Sequence, residues 1–570
     1  MPIKKNLLIP EAIAGLQINF CKKPQCRNFG IPPEGHQDTY RYIEQDSQRH
    51  ALQCKSCGRV TILKSNHSVV HERERLSYKI PQPQVLCCPN QQCPNHFLQV
   101  SLNPKQFHKF GTTAAGQPRY RCKSCKKTFS CPKSTGRRHR RPELNERIYL
   151  ALVNKIPINR ICEIENVQPK TVYDKLNFLY ESCLKFSAIK EQQLNDQKDH
   201  SFFLATDTLN FHLNWQRSRQ RKNVCLQTVT TTDIPSGYVL ACHGNINFDY
   251  ELKKIERELR ESYQTIRPPV FRPYAHFLLN KDYGRSLEAS EEPNRNNLLD
   301  DVEHKYREMI TRQDFGVAEV LNRYTSPPSE GVQVRFDYTL YGHFAWMKEV
   351  LPKHSEKVFY IAYDSSLREA CLSLFSEQII NNKTHAFYVR TEHGLSIASK
   401  RQRIREANDV LREYQQRAPE SDAESIELGI IKDRMNHMPV IGHWGDRWLI
   451  HPHPHMGEPG KAVSHTSDTG KADQEKLAEY YRKASLYPSR HFYDRLQNRI
   501  SVVPEHNETG PTGQWNLYGA YKPSVVIKLI EIFRTYNNYV LTDKYGQTPA
   551  QRLGLTSGVL TIKDIIGVDP

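Results

Sequence analysis

Apolar residues gather in short continuous runs near the middle of this chain and at helical spacing on either side of them. Phe202-Phe203-Leu204-Ala205-Thr206 is one run and stops at Asp207; Val358-Phe359-Tyr360-Ile361-Ala362-Tyr363 is another and stops at Asp364. Runs this short and this apolar predict strands buried on both faces, and an acid closing such a strand sits where the chain leaves the sheet. Residues 223–231 and 238–243 read as two further strands, joined by a turn over Ile234-Pro235-Ser236-Gly237. Helical spacing appears earlier, in Leu144, Ile148, Leu150, Ala151 and Leu152, then over 158–165 and, after Pro169, over 169–186. Late helices are predicted at 399–414, 477–484 and 492–499, with Glu531 on the surface of a further core helix. Residues 250–335 and 396–470 are charged and read as insertions.

Length and charge narrow the classes. A chain of 570 residues exceeds one core, so several domains are expected. Hydrophobic content of 38% and charged content of 25% fit a globular chain, and no apolar run approaches the roughly 20 residues of a membrane span. The first residues carry no recognisable secretory leader. The net charge of +18 points to a polyanionic partner, usually nucleic acid. The charge is clustered: Lys105 to Arg141 holds twelve Lys or Arg and no acid.

Of fifteen cysteines, ten precede residue 132. Cys21 and Cys26 are followed by Cys54 and Cys57; Cys88 and Cys93 are followed by Cys122 and Cys125. The second set repeats the first at an offset of 67 residues, then 68. The flanks match as well, LQCKSCGRV against YRCKSCKKT. Four thiolates from two tight turns close a tetrahedral shell around Zn²⁺, so two structural zinc modules are expected. A closed four-Cys site leaves no open coordination position for catalysis; such modules position a partner. Cys87 and Cys131 read as bystanders.

Arg137, Arg138, Arg140 and Arg141 form a basic arm suited to phosphates. The three helical segments after it read as a helix-turn-helix. Lys170, Thr171, Tyr173 and Lys175, in the first turns after Pro169, are the candidate base- and backbone-contacting residues.

The order of Cys-x₂-Cys ribbon (YRCKSCKKTFS), helix with KTVY, FFLATD, VFYIAYD and the tail FRTYNNYV…YGQTPAQRLGL resembles bacterial insertion-sequence transposases of the DDE, RNase H-like class. The resemblance runs from about residue 88 to 560. It implies a metal-dependent polynucleotidyl transferase, with Asp207 and Asp364 holding Mg²⁺ or Mn²⁺, that binds the double-stranded ends of its element, cleaves a strand and transfers it to target DNA. It also implies a homo-oligomer on DNA and a cytoplasmic, nucleoid-associated location. The third acid should lie on a late helix followed by a basic residue; Asp494 with Arg499 fits best, where the family has Glu, and Glu505 and Glu458 are rivals. The insertions depart from the compact family form. The His443, His451, His453 and His455 run reads as a surface loop, since alternating prolines keep neighbouring imidazoles from converging.

The expected organisation is therefore multidomain. Two small zinc ribbons (1–80 and 81–135) precede an all-α helix-turn-helix domain (136–200), and an α/β RNase H-like catalytic domain (201–570) carries the helical insertions. The competing reading is a DNA-binding transcriptional regulator whose RNase H-like body is degenerate; a metal-dependent nuclease on the same fold is the third.

Overall fold

The computed structural model describes all residues except 1–8, 34–38, 47–48, 79–85, 91, 99, 101–102, 114–117, 131–140, 198–199, 214–222, 285–297, 301, 304–305, 307–324, 393, 443–444, 502–521 and 568–570. In chain order, β1 (Tyr40–Asp46), β2 (Arg49–Cys54) and β3 (Val60–Ile62) form a three-stranded antiparallel sheet that leads into helix α1 (Asn66–Leu76). The same figure recurs in β4 (Phe107–Thr112), β5 (Pro118–Cys122) and β6 (Thr128–Ser130). Tyr40 pairs with Cys54 in the first sheet and Phe107 with Cys122 in the second, so the sequence repeat is a repeat of register.

The two copies sit differently. The first packs Tyr40, Leu52 and Leu63 around its cysteines and is also built into the body: Ile18, Phe20, Phe29 and Val69 join the largest apolar core. Lys64 pairs with Asp337 in a buried ion pair, and Ser65 N–H donates to the Tyr338 hydroxyl at 3.0 Å. The second packs a small core of its own from Val100, Phe107, Tyr120 and Phe129 around its cysteines.

Helices α2 (Leu144–Leu152), α3 (Ile158–Glu165) and α4 (Pro169–Glu191) follow. Asn166 ends α3 in the left-handed region at φ 47°, which Asn tolerates better than most residues. Pro169 opens α4 where its missing N–H costs nothing. Their apolar faces do not close on themselves alone: Leu176, Leu179 and Phe186 belong to the main core together with Leu529, Phe533 and Tyr536 from the C-terminal part of the chain.

The apolar runs become the centre of one seven-stranded sheet. β7 (Phe202–Leu213), β8 (Val224–Asp233) and β9 (Val239–Gly244) are an antiparallel meander. A two-stranded pair, β10 (Ile246–Asn247) with β11 (Val332–Gln333), pinches off the insertion that holds α5 (Leu252–Glu261). Helix α6 (Phe336–Val350) is buried along most of its length, between the sheet and α1. Gly342 permits that approach, since a Cβ there would lie 2.7 Å from the Glu72 side chain.

β12 (Lys357–Ala362) then lies parallel to β7 on its other side, and after α7 (Ser365–Leu374), β13 (Thr384–Thr391) lies parallel to β12. The second insertion supplies α8 (Ile397–Arg417), α9 (Ala423–Met435), a small hairpin of β14 (Val440–Ile441) and β15 (Asp446–Arg447), and two strands that extend the main sheet, β16 (Leu449–Ile450) and β17 (Lys461–His465). The sheet order is β16-β17-β13-β12-β7-β8-β9. Helices α10 (Gln474–Lys483), α11 (Tyr487–Arg499) and α12 (Pro523–Tyr539) follow, and two short helices, Pro549–Arg552 and Ile562–Ile566, close the described body.

Alternation along the strands sorts the two faces. Phe203, Val358, Tyr360 and Phe387 pack with Leu477, Tyr480 and Tyr481 of α10. Leu204, Phe359, Ile361 and Tyr388 point into the larger core on the opposite face.

Two expectations need correction. Asp207 does not close its strand but is the sixth of twelve residues in β7. Beyond it the chain alternates polar and apolar residues and stays paired with β8 as far as Leu213; it is β12 that ends beside it, with its last pairing at Ile361 and Thr206. Glu531 is not a surface position: it is 9% exposed and paired with Arg534 at 2.7 Å. The helix expected over DDVEHKYREMITR lies largely outside the described residues.

Candidate functional site

The cysteine pairs do come together. Within each set, one ligand atom per cysteine lies within 4.8 Å of all the others, and among the described residues no other His, Cys, Asp or Glu group does so. Cys21 Sγ is 3.5 Å from Cys57 Sγ and Cys26 Sγ 3.7 Å from Cys54 Sγ. The second set repeats this at 3.3 Å for Cys88 and Cys125 and 3.7 Å for Cys93 and Cys122. A tetrahedron with Zn–S bonds of ~2.3 Å has edges of ~3.8 Å, so both tetrads fit structural zinc.

An outer hydrogen bond is duplicated with them. Asn28 Nδ2 donates to Cys54 Sγ at 3.2 Å, and Asn95 Nδ2 to Cys122 Sγ at 3.3 Å. Burial pushes both thiols up, but the amide and nearby backbone N–H groups outweigh it, bringing Cys54 to about 7 and Cys122 to about 6. The signal for these residues stood in the sequence, an Asn two positions after the second Cys of each set, and sequence reasoning missed it.

The second candidate site lies on the sheet. Thr206 pairs with Ile361, so Asp207 is level with Ala362 and on the Phe203 face of the sheet; Asp364 follows two residues later, past a tight turn in which its N–H donates to the Ala362 carbonyl at 2.7 Å. The carboxylate of Asp364 caps α7, accepting from Ser366 N at 2.8 Å and Leu367 N at 3.0 Å. β13 ends beside them at Thr391. Helix α11 crosses this face. Ser489 Oγ donates to the Ala205 carbonyl at 2.7 Å, and the Tyr493 hydroxyl lies 3.1 Å from Thr228 Oγ1. Between these anchors, Arg490 Nε donates to Asp207 Oδ2 at 2.8 Å, and its Nη1 donates to Thr391 Oγ1. Arg490 was not among the residues picked from the sequence; its position one helical turn before Asp494 could have found it.

Asp494 is exposed on α11, and the carboxylates of Asp207, Asp364 and Asp494 do not form a group as tight as the cysteines. Glu505 lies outside the described residues. Glu458 is buried and committed: it accepts from Leu486 N at 2.7 Å, Tyr487 N at 3.0 Å, Ser485 Oγ at 2.8 Å and Lys461 Nζ at 3.1 Å. Burial pushes this carboxyl up, but Lys461, His455 and these donors outweigh it and hold it well below the usual range. Its work is to fix the start of α11.

The candidate DNA-contacting residues separate. Arg137, Arg138 and Arg140 lie outside the described residues; Arg141 is exposed and paired with Glu143 at 3.3 Å. Lys170 and Tyr173 are exposed on the first turns of α4 and Thr171 is half-buried. Lys175 does not share that face: it is 3% exposed and donates to the Arg141 carbonyl at 3.1 Å, holding the turn into α2. Arg499 ends α11, where its guanidinium donates to Asn154 Oδ1 at 3.2 Å and its carbonyl accepts from Lys155 N. In the histidine run, His451 Nε2 faces the Tyr481 carbonyl and His455 Nε2 faces Glu458, so the two rings are engaged separately; His443 lies outside the described residues.

No described helix is long and apolar enough to cross a membrane. Comparison with protein-family models, with curated proteins and with solved structures finds no match to this chain.

Proposed function

We propose that this chain is a DNA transposase: an RNase H-like, DDE-type enzyme that binds the ends of its own element and catalyses metal-dependent strand cleavage and transfer. The observation that carries the reading is the placement of Asp207 and Asp364 on neighbouring parallel strands, Asp207 within β7 on its α10 face and level with the end of β12, and Asp364 just past that end. A mixed sheet, antiparallel on one side of β7 and parallel on the other, and a late helix lying across that face also support it. Clefts outside the carboxyl ends of parallel strands are where such sheets bind ligands.

The two carboxylates are hard oxygen donors suited to Mg²⁺ or Mn²⁺. When bound, the metal supplies charge for the attacking and leaving oxygens of an in-line displacement at phosphorus. The chain's own contribution is positional. β7 and β12 fix the two acids, Glu458 and Ser489 fix α11, and α11 carries Arg490 and Asp494 over the site. The exposed start of α4 and the basic arm are suited to the DNA of the element ends, with the zinc modules holding neighbouring backbone.

A specific observation favours a second reading, the DNA-binding regulator with a degenerate body. A guanidinium occupies the partner position of Asp207, and among the described residues no third acid converges on it. The discriminating experiment is strand cleavage in Mg²⁺ or Mn²⁺ on DNA carrying the sequences that flank the gene. Cleavage by the wild type, lost in Asp207→Asn and Asp364→Asn with DNA binding retained, is the expected result. Binding without cleavage by the wild type would move the assignment to the regulator.

A further inference from the structure

The outer face of the second zinc module is built unlike that of the first. In the β4–β5–β6 sheet, Phe107, Tyr120 and Phe129 turn inward around the cysteines. His108, Arg121 and Thr128 pair across the strands on the other face, and Arg119 pairs with Ser130 two residues along. Phe110 lies on this outer face, 46% exposed, just before Gly111, whose φ of 74° accompanies a break in register. The Arg121 and Arg119 guanidinium carbons lie 5.6 and 5.8 Å from the Phe110 ring centroid.

An exposed phenyl ring does not stabilise a module whose core is already filled from the other side. The internal repeat gives the comparison. By the same register, the first module carries Ile43 where the second has Phe110, and Ala51 and Gln53 where it has Arg119 and Arg121. Ala51 is buried there, at 1% exposure. At these three positions the copy built into the body carries neither the aromatic ring nor the two cations, and the second copy carries all three.

We propose that this outer face binds single-stranded nucleic acid, with Phe110 stacking on an unpaired base and Arg119 and Arg121 contacting the flanking phosphates. The chemistry selects the strand state. A flat, half-exposed aromatic ring with two guanidiniums beside it offers a π-face and two phosphate donors, which suit any unstacked base. Bases inside a duplex present edges in the grooves and no free face. The absence of acids between Lys105 and Arg141 removes any competing negative charge from this stretch. The proposal does not depend on strand cleavage: it adds a single-strand contact to a chain otherwise read as a duplex binder, of the kind frayed or nicked ends would supply.

The test is fluorescence anisotropy of the full zinc-loaded chain with a labelled oligothymidylate, beside a duplex of the same length. Phe110→Ala is expected to weaken oligothymidylate binding roughly tenfold, the effect of losing one stacked base, while duplex affinity changes less than twofold. Phe110→Trp should restore it. Arg119→Ala with Arg121→Ala should weaken binding and flatten its salt dependence, and Arg41→Ala, on the same face of the first module, should do neither. Zinc content read on each variant shows whether the module is intact, and the tryptophan variant keeps the test sound if the alanine variant loses metal. Wild-type chain that does not bind the oligonucleotide, or equal loss on single strand and duplex, would overturn the proposal. Loss of cleavage in Asp207→Asn with oligothymidylate binding unchanged would leave it standing, so the two readings fail separately.

Discussion

Glu458→Gln separates a structural acid from a catalytic one. The Glu458 carboxylate is fully buried, faces a Lys461 ammonium with a 5% exposed side chain, and caps the start of α11 through Leu486 and Tyr487. Glutamine keeps one carbonyl oxygen for those two N–H donors but removes the charge that balances Lys461. Breaking a buried pair by removing one partner costs about 3–5 kcal/mol; with part of the cap retained, about 3 kcal/mol is expected. That is a large share of the ~5–15 kcal/mol that holds a domain together. The assay is urea unfolding of wild type and variant as a function of pH. The carboxyl is held below its usual value of 4.5, so its contribution is fully present at neutral pH and is lost as the pH falls below about 4.5. The gap between the proteins should therefore be constant near pH 7 and close in acid. A variant within 0.5 kcal/mol of wild type by rough measure, or a gap that does not close in acid, would refute the reasoning. Normal stability with lost strand cleavage would instead restore Glu458 as a candidate catalytic acid.

The two zinc sites should differ in their consequences. Cys54→Ser should lose one zinc and destabilise the body, whose core includes Ile18, Phe20 and Val69, whereas Cys122→Ser should lose one zinc and leave body unfolding almost unchanged; metal analysis with calorimetry reads both. Asn28→Ala and Asn95→Ala, which remove the amide held to Cys54 and Cys122, should each lower zinc affinity roughly 10–100-fold, measured by competition with a chelating dye. Arg490→Ala should tighten Mn²⁺ binding several-fold by calorimetry, because it frees Asp207 from a competing cation; unchanged or weaker binding would mean that Asp207 is not a metal donor.

Much of this was legible in the chain because it is periodic. The repeated cysteine spacing fixed both tetrads, and the helices of 144–191 follow the apolar spacing closely. The buried runs ending in Asp207 and Asp364 did become paired central strands. What the sequence hid depends on partners distant in the chain. Asp207 looked like the end of a strand because the apolar run stops there, yet pairing with β8 carries β7 on to Leu213 while the neighbouring strand stops. Lys175 looked exposed by its place in the first turns of α4, and only the fold sets it under Arg141. Glu458 sat in a loop rich in His and Pro; its role appears only once α11 begins beside it. Arg490 belongs to the same class, a basic residue in an unremarkable helix until the sheet brings Asp207 to it.

The most direct test of the central claim is Mn²⁺ binding, followed by electron paramagnetic resonance, to the wild type, Asp207→Asn, Asp364→Asn and the double variant, with the zinc sites filled. The wild type should bind, each single variant should lose most of that binding, and the double variant should lose little more, because the two carboxylates hold the ion together. Binding by the double variant equal to that of the wild type would contradict it.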